Sequence, residues 1–266
     1  LTIPVVAANM TAVSGRRMAE TIARRGGVAV IPQDIPTEVV ADVVQWVKAR
    51  HVVFETAVTL TATETTGMAL SVIPKRNHGA AIVLDDGVPV GVVTEGDCQR
   101  ADRFTQVHQV MSADVFALPD TVSPREAFDL LHAENRRFAP VVDTGGRLVG
   151  IMTRDGALRS TMYTPALDAQ GQLRIGAAVG INGDVARRAK DLVAAGIDVL
   201  VVDTAHGHQD KMLDVLAAIG EQPVPIVAGN VVTAAGTEDL IEAGADIIKV
   251  GVGPGAMCTT RMRTGV

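Results

Sequence analysis

Along this 266-residue chain the apolar positions alternate between two periods. Apolar runs at residues 3–7, 28–31, 175–179, 199–202 and 225–228, and one at 247–250 broken only by Lys249, are too short for helices. They are also too continuous for a half-exposed sheet, so each predicts a parallel strand buried on both faces. Between the runs, apolar residues recur at helical spacing. Ser14 caps a helix with Met18 and Ile22 inward, and Pro36-Thr37 opens one carrying Val39, Val40, Val43, Val44 and Val47. Asp184 starts a helix through Val185, Ala189, Leu192 and Val193, and residues 209–219 and 234–243 read as helices too. The joint Ala195-Gly-Ile-Asp198 returns as Ala243-Gly-Ala-Asp246, as expected when helix C-caps feed successive strands at one height. Repeated strand-helix units of this kind predict an α/β fold, either a doubly wound sheet or a (β/α)8 TIM barrel. The barrel is preferred because polar residues collect at the strands' carboxyl ends, namely Asn9, Asp203, His206, Asn230 and Cys258. The count is six strands, two short of closure. The expectation is that the barrel is incomplete at both ends of this sequence and that a further tail supplies the rest.

The pattern breaks at about Arg50. Residues 51–164 hold a duplicated unit: Ala80-Ala-Ile-Val83 matches Ala139-Pro-Val-Val142, Gly87 matches Gly146, and Gly91-Val-Val-Thr94 matches Gly150-Ile-Met-Thr153. Thr63 and Ser123 are the expected helix caps of the two copies. The domains are therefore 1–50 with 165–266, and an inserted 51–164. The first copy carries Thr94-x-x-Asp97, whereas the second has Thr153-Arg-Asp-Gly156, with glycine in the carboxylate's place.

Composition narrows the classes. The chain is 47% hydrophobic and only 3% aromatic, which suits tightly packed parallel strands and their covering helices. A net charge of −6 offers no field for nucleic acid, and no apolar run approaches the roughly 20 residues that span a bilayer. Cys98 and Cys258 lack metal-ligand spacing, and the expected location is cytoplasmic.

The chemistry points to Lys249-Val-Gly-Val-Gly-Pro-Gly-Ala-Met-Cys258-Thr-Thr-Arg261, a strand entering a glycine-rich loop. Gly251, Gly253 and Gly255 permit positive φ and close approach to a ligand, and Thr259 and Thr260 place hydroxyls beside the thiol. No Gly-x-Gly-x-x-Gly opens a helix after a strand, and neither HExxH nor Gly-x-Ser-x-Gly is present. A thiol with hydroxyls, an Asp and an Asn on one barrel face suits attack on an electron-poor ring carbon, given stabilisation of the thiolate. His206 and His208 read as surface or partner-contact residues.

Gly-Pro-Gly-Ala-Met-Cys-Thr-Thr-Arg resembles the cysteine loop shared by IMP dehydrogenases and GMP reductases. The resemblance implies that Cys258 adds to purine C2 of a bound mononucleotide and forms a thioimidate, with Thr260 assisting groups at C2. It implies that Asp203 contacts the ribose or nicotinamide side and that Asn230 contacts the base or holds the loop. Asn9, Met10, Gly251 and Gly253 join the substrate and cofactor surface. The carbonyls of Gly253, Gly255 and Cys258 match those that ligate potassium in many members. Ala256 departs from the serine that usually helps bind phosphate. The duplicated unit resembles a CBS (Bateman) pair, which implies a purine nucleotide effector held by Thr94 and Asp97, with Thr153 in a second, weaker site. A homo-oligomer, tetramer or octamer, is also implied. Ala7-Ala-Asn9-Met10 and Arg263 before Thr264 look like the reductases, which use NADPH. Asp203-Thr-Ala-His-Gly-His208 looks like the bacterial dehydrogenases, which use NAD. The balance favours the reductase, and a nucleotide sensor without catalysis is the third reading.

Overall fold

The computed structural model describes residues 1–255 and 258–265. In chain order the elements are β1 (Val6–Ala7), α1 (Arg16–Ala23), β2 (Val28–Ile31) and α2 (Thr37–Lys48). Next come β3 (Thr59–Thr61), α3 (Thr66–Val72), β4 (Ala80–Asp85), β5 (Val88–Thr94), α4 (Glu95–Gln99), β6 (Leu118–Pro119), α5 (Pro124–Ala133), β7 (Phe138–Val142), β8 (Leu148–Thr153) and α6 (Arg154–Met162). The last group is β9 (Gly176–Val179), α7 (Val185–Ala194), β10 (Val199–Asp203), α8 (Asp210–Ile219), β11 (Ile226–Val231), α9 (Ala234–Glu242), β12 (Ile247–Val250) and α10 (Thr260–Thr264). Residues 1–50 and 165–266 form one compact unit and residues 51–164 another.

In the first unit, six parallel strands run in the order β1-β2-β9-β10-β11-β12. Each strand pairs with the next in the unit's own chain order. A doubly wound sheet needs a reversal of that order, and among the described residues there is none. The sheet also curls. Neighbouring strands lie about 4.8 Å apart, so the edges of a flat six-stranded sheet would stand roughly 24 Å from each other. Here the Lys249 side chain, on one edge strand, reaches to 3.5 Å from Asn9, which follows the other. Val28, Val30, Val199, Val201, Val227 and Ile247 alternate along their strands to line the concave face, a trough of about 510 Å³. Their neighbours Ala29, Ile31, Leu200, Val202, Ile226 and Ala228 point the other way and are fully buried with helix residues such as Val40, Val44, Ala189, Leu192, Met212 and Leu240.

Several local expectations change. The strand expected over 3–7 is only β1, with Val5 and Val6 exposed, and β12 leaves Val250 72% exposed rather than buried. Both are edge strands of this sheet, paired on one side only. Ser14 does not cap α1; its buried hydroxyl donates to Ala8 O at 2.6 Å, and Gly15 occupies the N-cap. Met18 faces solvent while Ala19, Glu20 and Ala23 make the buried stripe of α1.

The repeated Ala-Gly-x-Asp joints have a common task. Gly196 and Gly244 adopt φ of 96° and 101°, which turns the chain out of each helix. Asp198 Oδ2 then accepts the Ile175 amide at 2.7 Å, and Asp246 Oδ2 accepts the Ile226 amide at 2.7 Å. Each carboxylate satisfies an amide at the start of the adjoining strand, where no ladder partner exists. Lys48 Nζ joins this end of the sheet, 2.7 Å from Asp198 and 2.6 Å from Asp168.

In the second unit, each copy gives a three-stranded sheet, β3-β4-β5 and β6-β7-β8, with the first pair parallel and the second antiparallel. The copies interlock. Residues ahead of the first copy serve the second: Phe54 lies in the core of Leu118, Leu131, Val141 and Met152, and Glu55 pairs with Ile151. Ser112, ahead of the second copy, pairs in turn with Val92 of the first. The helix caps are Thr65 and Ser123, accepting from Met68 N and Glu126 N, so Thr65 rather than Thr63 takes that place.

Candidate functional site

The carboxyl ends of the parallel strands carry a tight polar cluster. Asp203 closes β10, and its Oδ1 accepts Lys249 Nζ at 2.7 Å. Its Oδ2 accepts Asn9 Nδ2 at 3.0 Å, so the carboxylate is held from both edges of the curled sheet. Lys249 projects onto this face because β12 alternates, with Ile247 and Lys249 both lining the trough. Sequence reading left Lys249 out of the site. The signal was there: a lysine is the sole charged residue in the run from Ile247 to Val250, and such residues are rarely enclosed without a partner. Beside Asp203 opens a cleft of about 310 Å³, lined in part by Gln33, Asn182, Arg188 and Thr204.

The loops after β10 and β11 are zipped together. Thr204 N donates to Gly229 O and Asn230 N to Thr204 O, both at 2.9 Å, and Gly207 N donates to Asn230 O at 2.7 Å. A Cβ at Gly207 would stand 2.9 Å from Asn230 O, so only glycine allows this approach. The Asn230 side-chain Oδ1 is buried with no hydrogen-bond partner. Such an acceptor costs about 1–3 kcal/mol while unmet, and a ligand N–H or O–H would satisfy it.

The cysteine loop leaves β12 through Gly251, whose amide donates to Val231 O at 2.8 Å. Gly253 has φ of 56°, and a Cβ there would sit 3.5 Å from Cys258 Sγ and 3.2 Å from Arg261 N. Cys258 N donates to Gly255 O at 3.0 Å, and Arg261 Nη2 donates to Val252 O at 3.4 Å, closing the loop. The thiol is exposed and donates to Thr260 Oγ1 at 3.2 Å. Hydrogen bonds from the Thr260 hydroxyl and backbone, with the Arg261 charge adding to them, draw the Cys258 thiol below its ordinary value. Ala256 lies outside the described residues.

Other candidates stand apart from this chemistry. Met10 is exposed and belongs to a turn in which its amide donates to Ala8 O. His206 O accepts the Gln209 side chain, and His208 Nε2 lies 2.8 Å from Asp239 on α9. In the second unit, Thr94 and Asp97 form a closed capping box on α4: Asp97 Oδ2 accepts Thr94 N at 2.9 Å and Thr94 Oγ1 at 2.7 Å. Thr153 caps α6 through Gly156 N at 2.8 Å. A Cβ at Gly156 would lie 2.8 Å from Thr153 Oγ1, so a side chain there requires that hydroxyl to shift. Among the described residues no helix is long and apolar enough to cross a membrane.

Comparison with known proteins supplies the remaining findings. The family model for the IMP dehydrogenase / GMP reductase domain matches residues 1–266. A GMP reductase of Mycobacterium tuberculosis is 53% identical over 267 residues, covering 100% of this chain and 56% of that protein. An inosine-5'-monophosphate dehydrogenase of Mycobacterium bovis is 38% identical over 275 residues, covering 100% of this chain and 52% of that protein. The chain thus spans about half the length of these curated relatives. The crystal structure of a Trypanosoma brucei GMP reductase in complex with guanosine 5'-triphosphate superposes with a TM-score of 0.64 at 33% identity, covering 100% of this chain and 66% of that one. The complex of the C318A form of that enzyme with guanosine 5'-monophosphate gives 0.64 at 32% identity, covering 99% and 58%.

Proposed function

The chain belongs to the IMP dehydrogenase / GMP reductase family, and from that membership we propose that it carries the nucleotide-binding face of a GMP reductase. The reaction is GMP with NADPH and two protons giving IMP, NADP⁺ and ammonium. One observation carries the choice of direction: Asn9, from the reductase-like Ala7-Ala-Asn9-Met10, is bonded to Asp203 and lies beside Lys249. The identity of 53% to a GMP reductase against 38% to a dehydrogenase supports the same choice.

Cys258 thiolate adds to purine C2, and the 2-amino group departs with a proton as ammonia, leaving a thioimidate on the sulfur. A reduced nicotinamide, when bound, supplies the hydride that replaces the sulfur at C2. Cys258 then leaves as thiolate, again stabilised by the Thr260 hydroxyl. In this reading the Thr260 hydroxyl also holds the departing amine, a role its approach to Cys258 Sγ at 3.2 Å supports. Asp203, fixed by Asn9 and Lys249, accepts hydrogen bonds from ribose or carboxamide groups, and the unmet Asn230 Oδ1 takes one from the base. The carbonyls of Gly253, Gly255 and Cys258 form the potassium set. Gly255 O already accepts the Cys258 amide but keeps a second lone pair, and an all-oxygen donor set suits a hard cation.

Residues 51–164 are read as a CBS pair in which Thr94 and Asp97 hold the phosphate and ribose of a purine nucleotide effector, and the whole protein as a homotetramer or homo-octamer. The test follows nicotinamide absorbance at the protein's full cellular length, with potassium present and each nucleotide and cofactor pair in turn. GMP-dependent NADPH oxidation should exceed IMP-dependent NADH formation by at least about tenfold, a transition-state difference of ~1.4 kcal/mol. Dominant NADH formation from IMP would install the dehydrogenase reading, which Asp203-Thr-Ala-His-Gly-His208 favours.

A further inference from the structure

The stretch Asp203-Thr-Ala-His-Gly-His208 ends in a histidine that the chemistry above does not use. His208 stands on the loop between β10 and α8, and its Nε2 meets Asp239 Oδ2 of α9 at 2.8 Å. The neutral ring makes this bond with its proton on Nε2, and the charged ring carries a proton there too, so the carboxylate is bonded in either state. The ring is seated as well as bonded. A Cβ at Gly236, in the first turn of α9, would stand 2.9 Å from both Cβ and Cγ of His208. The root of the histidine side chain thus fills space that glycine leaves open. Gly236 N itself donates to Thr233 Oγ1, the cap of α9, at 3.1 Å.

This pair closes a ring of contacts around Asn230. From Asn230 the chain runs through Thr233 and the first turns of α9 to Asp239, then across to His208 and Gly207, whose amide returns to Asn230 O at 2.7 Å. Nearer Asp203, Thr204 is bonded through its amide to Gly229 O and through its carbonyl to Asn230 N. The backbone bonds fix the main chain of Asn230. The histidine fixes the far end of the loop against the helix that follows Asn230. The Asn230 Oδ1 atom is buried without a partner, so its direction is set by the two segments that bracket it. An acceptor held in place before its ligand arrives loses less freedom on binding.

We propose that His208 is a positioning residue for the nucleotide: with Asp239 it latches the loop after β10 onto α9 and so aims the buried Asn230 carboxamide. The inference rests on the assignment of Asn230 to the purine base made above. His208 touches no reacting atom in this role and moves no proton. The two side chains are 39% and 42% exposed, and pairs so exposed add little to global stability. The latch therefore acts on nucleotide affinity rather than on unfolding. A contact made equally in the ground and transition states, once loosened, raises KM and leaves kcat in place.

The experiment uses the protein at its full cellular length and the variants His208→Ala, Asp239→Ala, their double variant, Gly236→Ala and His208→Gln. Asp246→Ala, which removes the acceptor of the Ile226 amide at the opposite end of the sheet, is the control for a purely structural loss. Three quantities are read: GMP affinity by titration calorimetry, KM and kcat by nicotinamide absorbance, and amide hydrogen exchange over residues 204–208 and 230–233. His208→Ala, Asp239→Ala and Gly236→Ala should each weaken GMP binding about fivefold, or ~1 kcal/mol. KM for GMP should rise alike with kcat within about twofold of wild type, and exchange should quicken in both loops. The double variant should be no worse than either single one, because both lose the same bond. His208→Gln, whose amide nitrogen stands in for Nε2, should recover most of the affinity. Asp246→Ala should melt earlier with GMP affinity and loop exchange unchanged. Unaltered exchange, or losses that add in the double variant, would overturn the latch. Faster exchange with unaltered GMP affinity would overturn the positioning role. If wild type instead forms NADH from IMP, the reductase reading fails alone and the same comparison with IMP decides the latch. Wild type that binds neither nucleotide would overturn the positioning role together with the Asn230 assignment.

Discussion

Cys258 and Cys98 are the same residue type in opposite settings. Cys98 is fully buried, and desolvation, with Asp97 adding to it, raises its pKa. Cys258 is exposed, and hydrogen bonds from Thr260 lower its value. Since the thiolate is the reactive form, the native protein should be alkylated by iodoacetamide at Cys258 alone near pH 7–8. Thr260→Val should slow that labelling severalfold and move its pH profile upward, read by mass spectrometry of the two cysteine peptides. Labelling of Cys98 at a comparable rate, or a Thr260→Val profile identical to wild type, would remove the basis for the nucleophile. The loop signal at Cys258 was legible in the sequence because glycines, hydroxyls and thiol are consecutive. The Lys249–Asp203–Asn9 cluster was not, because its bonded partners lie 194 and 46 residues apart.

At the level of elements, the sheet is tied at its amino-terminal end by carboxylates. Asp246→Ala removes the acceptor for the Ile226 amide and should cost about 1–3 kcal/mol in denaturant unfolding. Lys48→Met leaves Asp168 and Asp198, each nearly buried, facing one another without their cation. The expected cost is about 3 kcal/mol. Burial alone would push the Asp168 carboxyl up, but the Lys48 hydrogen bond and charge and the amides of Gln172 and Gln170 outweigh it, so its folded pKa is lowered. A lowered folded pKa contributes stability that is present above the unfolded value of ~3.9 and is lost as pH falls through the folded one. The gap between wild type and Lys48→Met should thus be widest near neutral pH and close below about pH 4. A gap that stays constant into acid would show that Lys48 acts through packing of its stem rather than through its charge.

For the molecule as a whole, two units with separate cores need not unfold together. The single tryptophan, Trp46, lies in the unit of 1–50 and 165–266, flanked by Arg16 and Arg50 at 5.2 and 4.7 Å from its ring. Its fluorescence reports that unit alone, while far-UV circular dichroism reports both. Urea midpoints from the two probes should differ, and coincident curves would make the chain one cooperative unit.

The short apolar runs, the glycine stops, the Ala-Gly-x-Asp joints and the duplication at residues 51–164 were readable along the chain because each follows from neighbours within a few residues. Those features place strands, helices and the cysteine loop. They do not say which strands lie at an edge, so the expected burial of Val250 and Val6 failed where a partner was present on one side only. Nor do they say how far a sheet curls, and the curl is what brings Lys249 to Asn9 across 240 residues of sequence. The same holds for the interlocked copies, in which Phe54 joins the core of the second. Periodicity is a local property of the backbone, whereas these contacts arise from the mutual packing of distant segments.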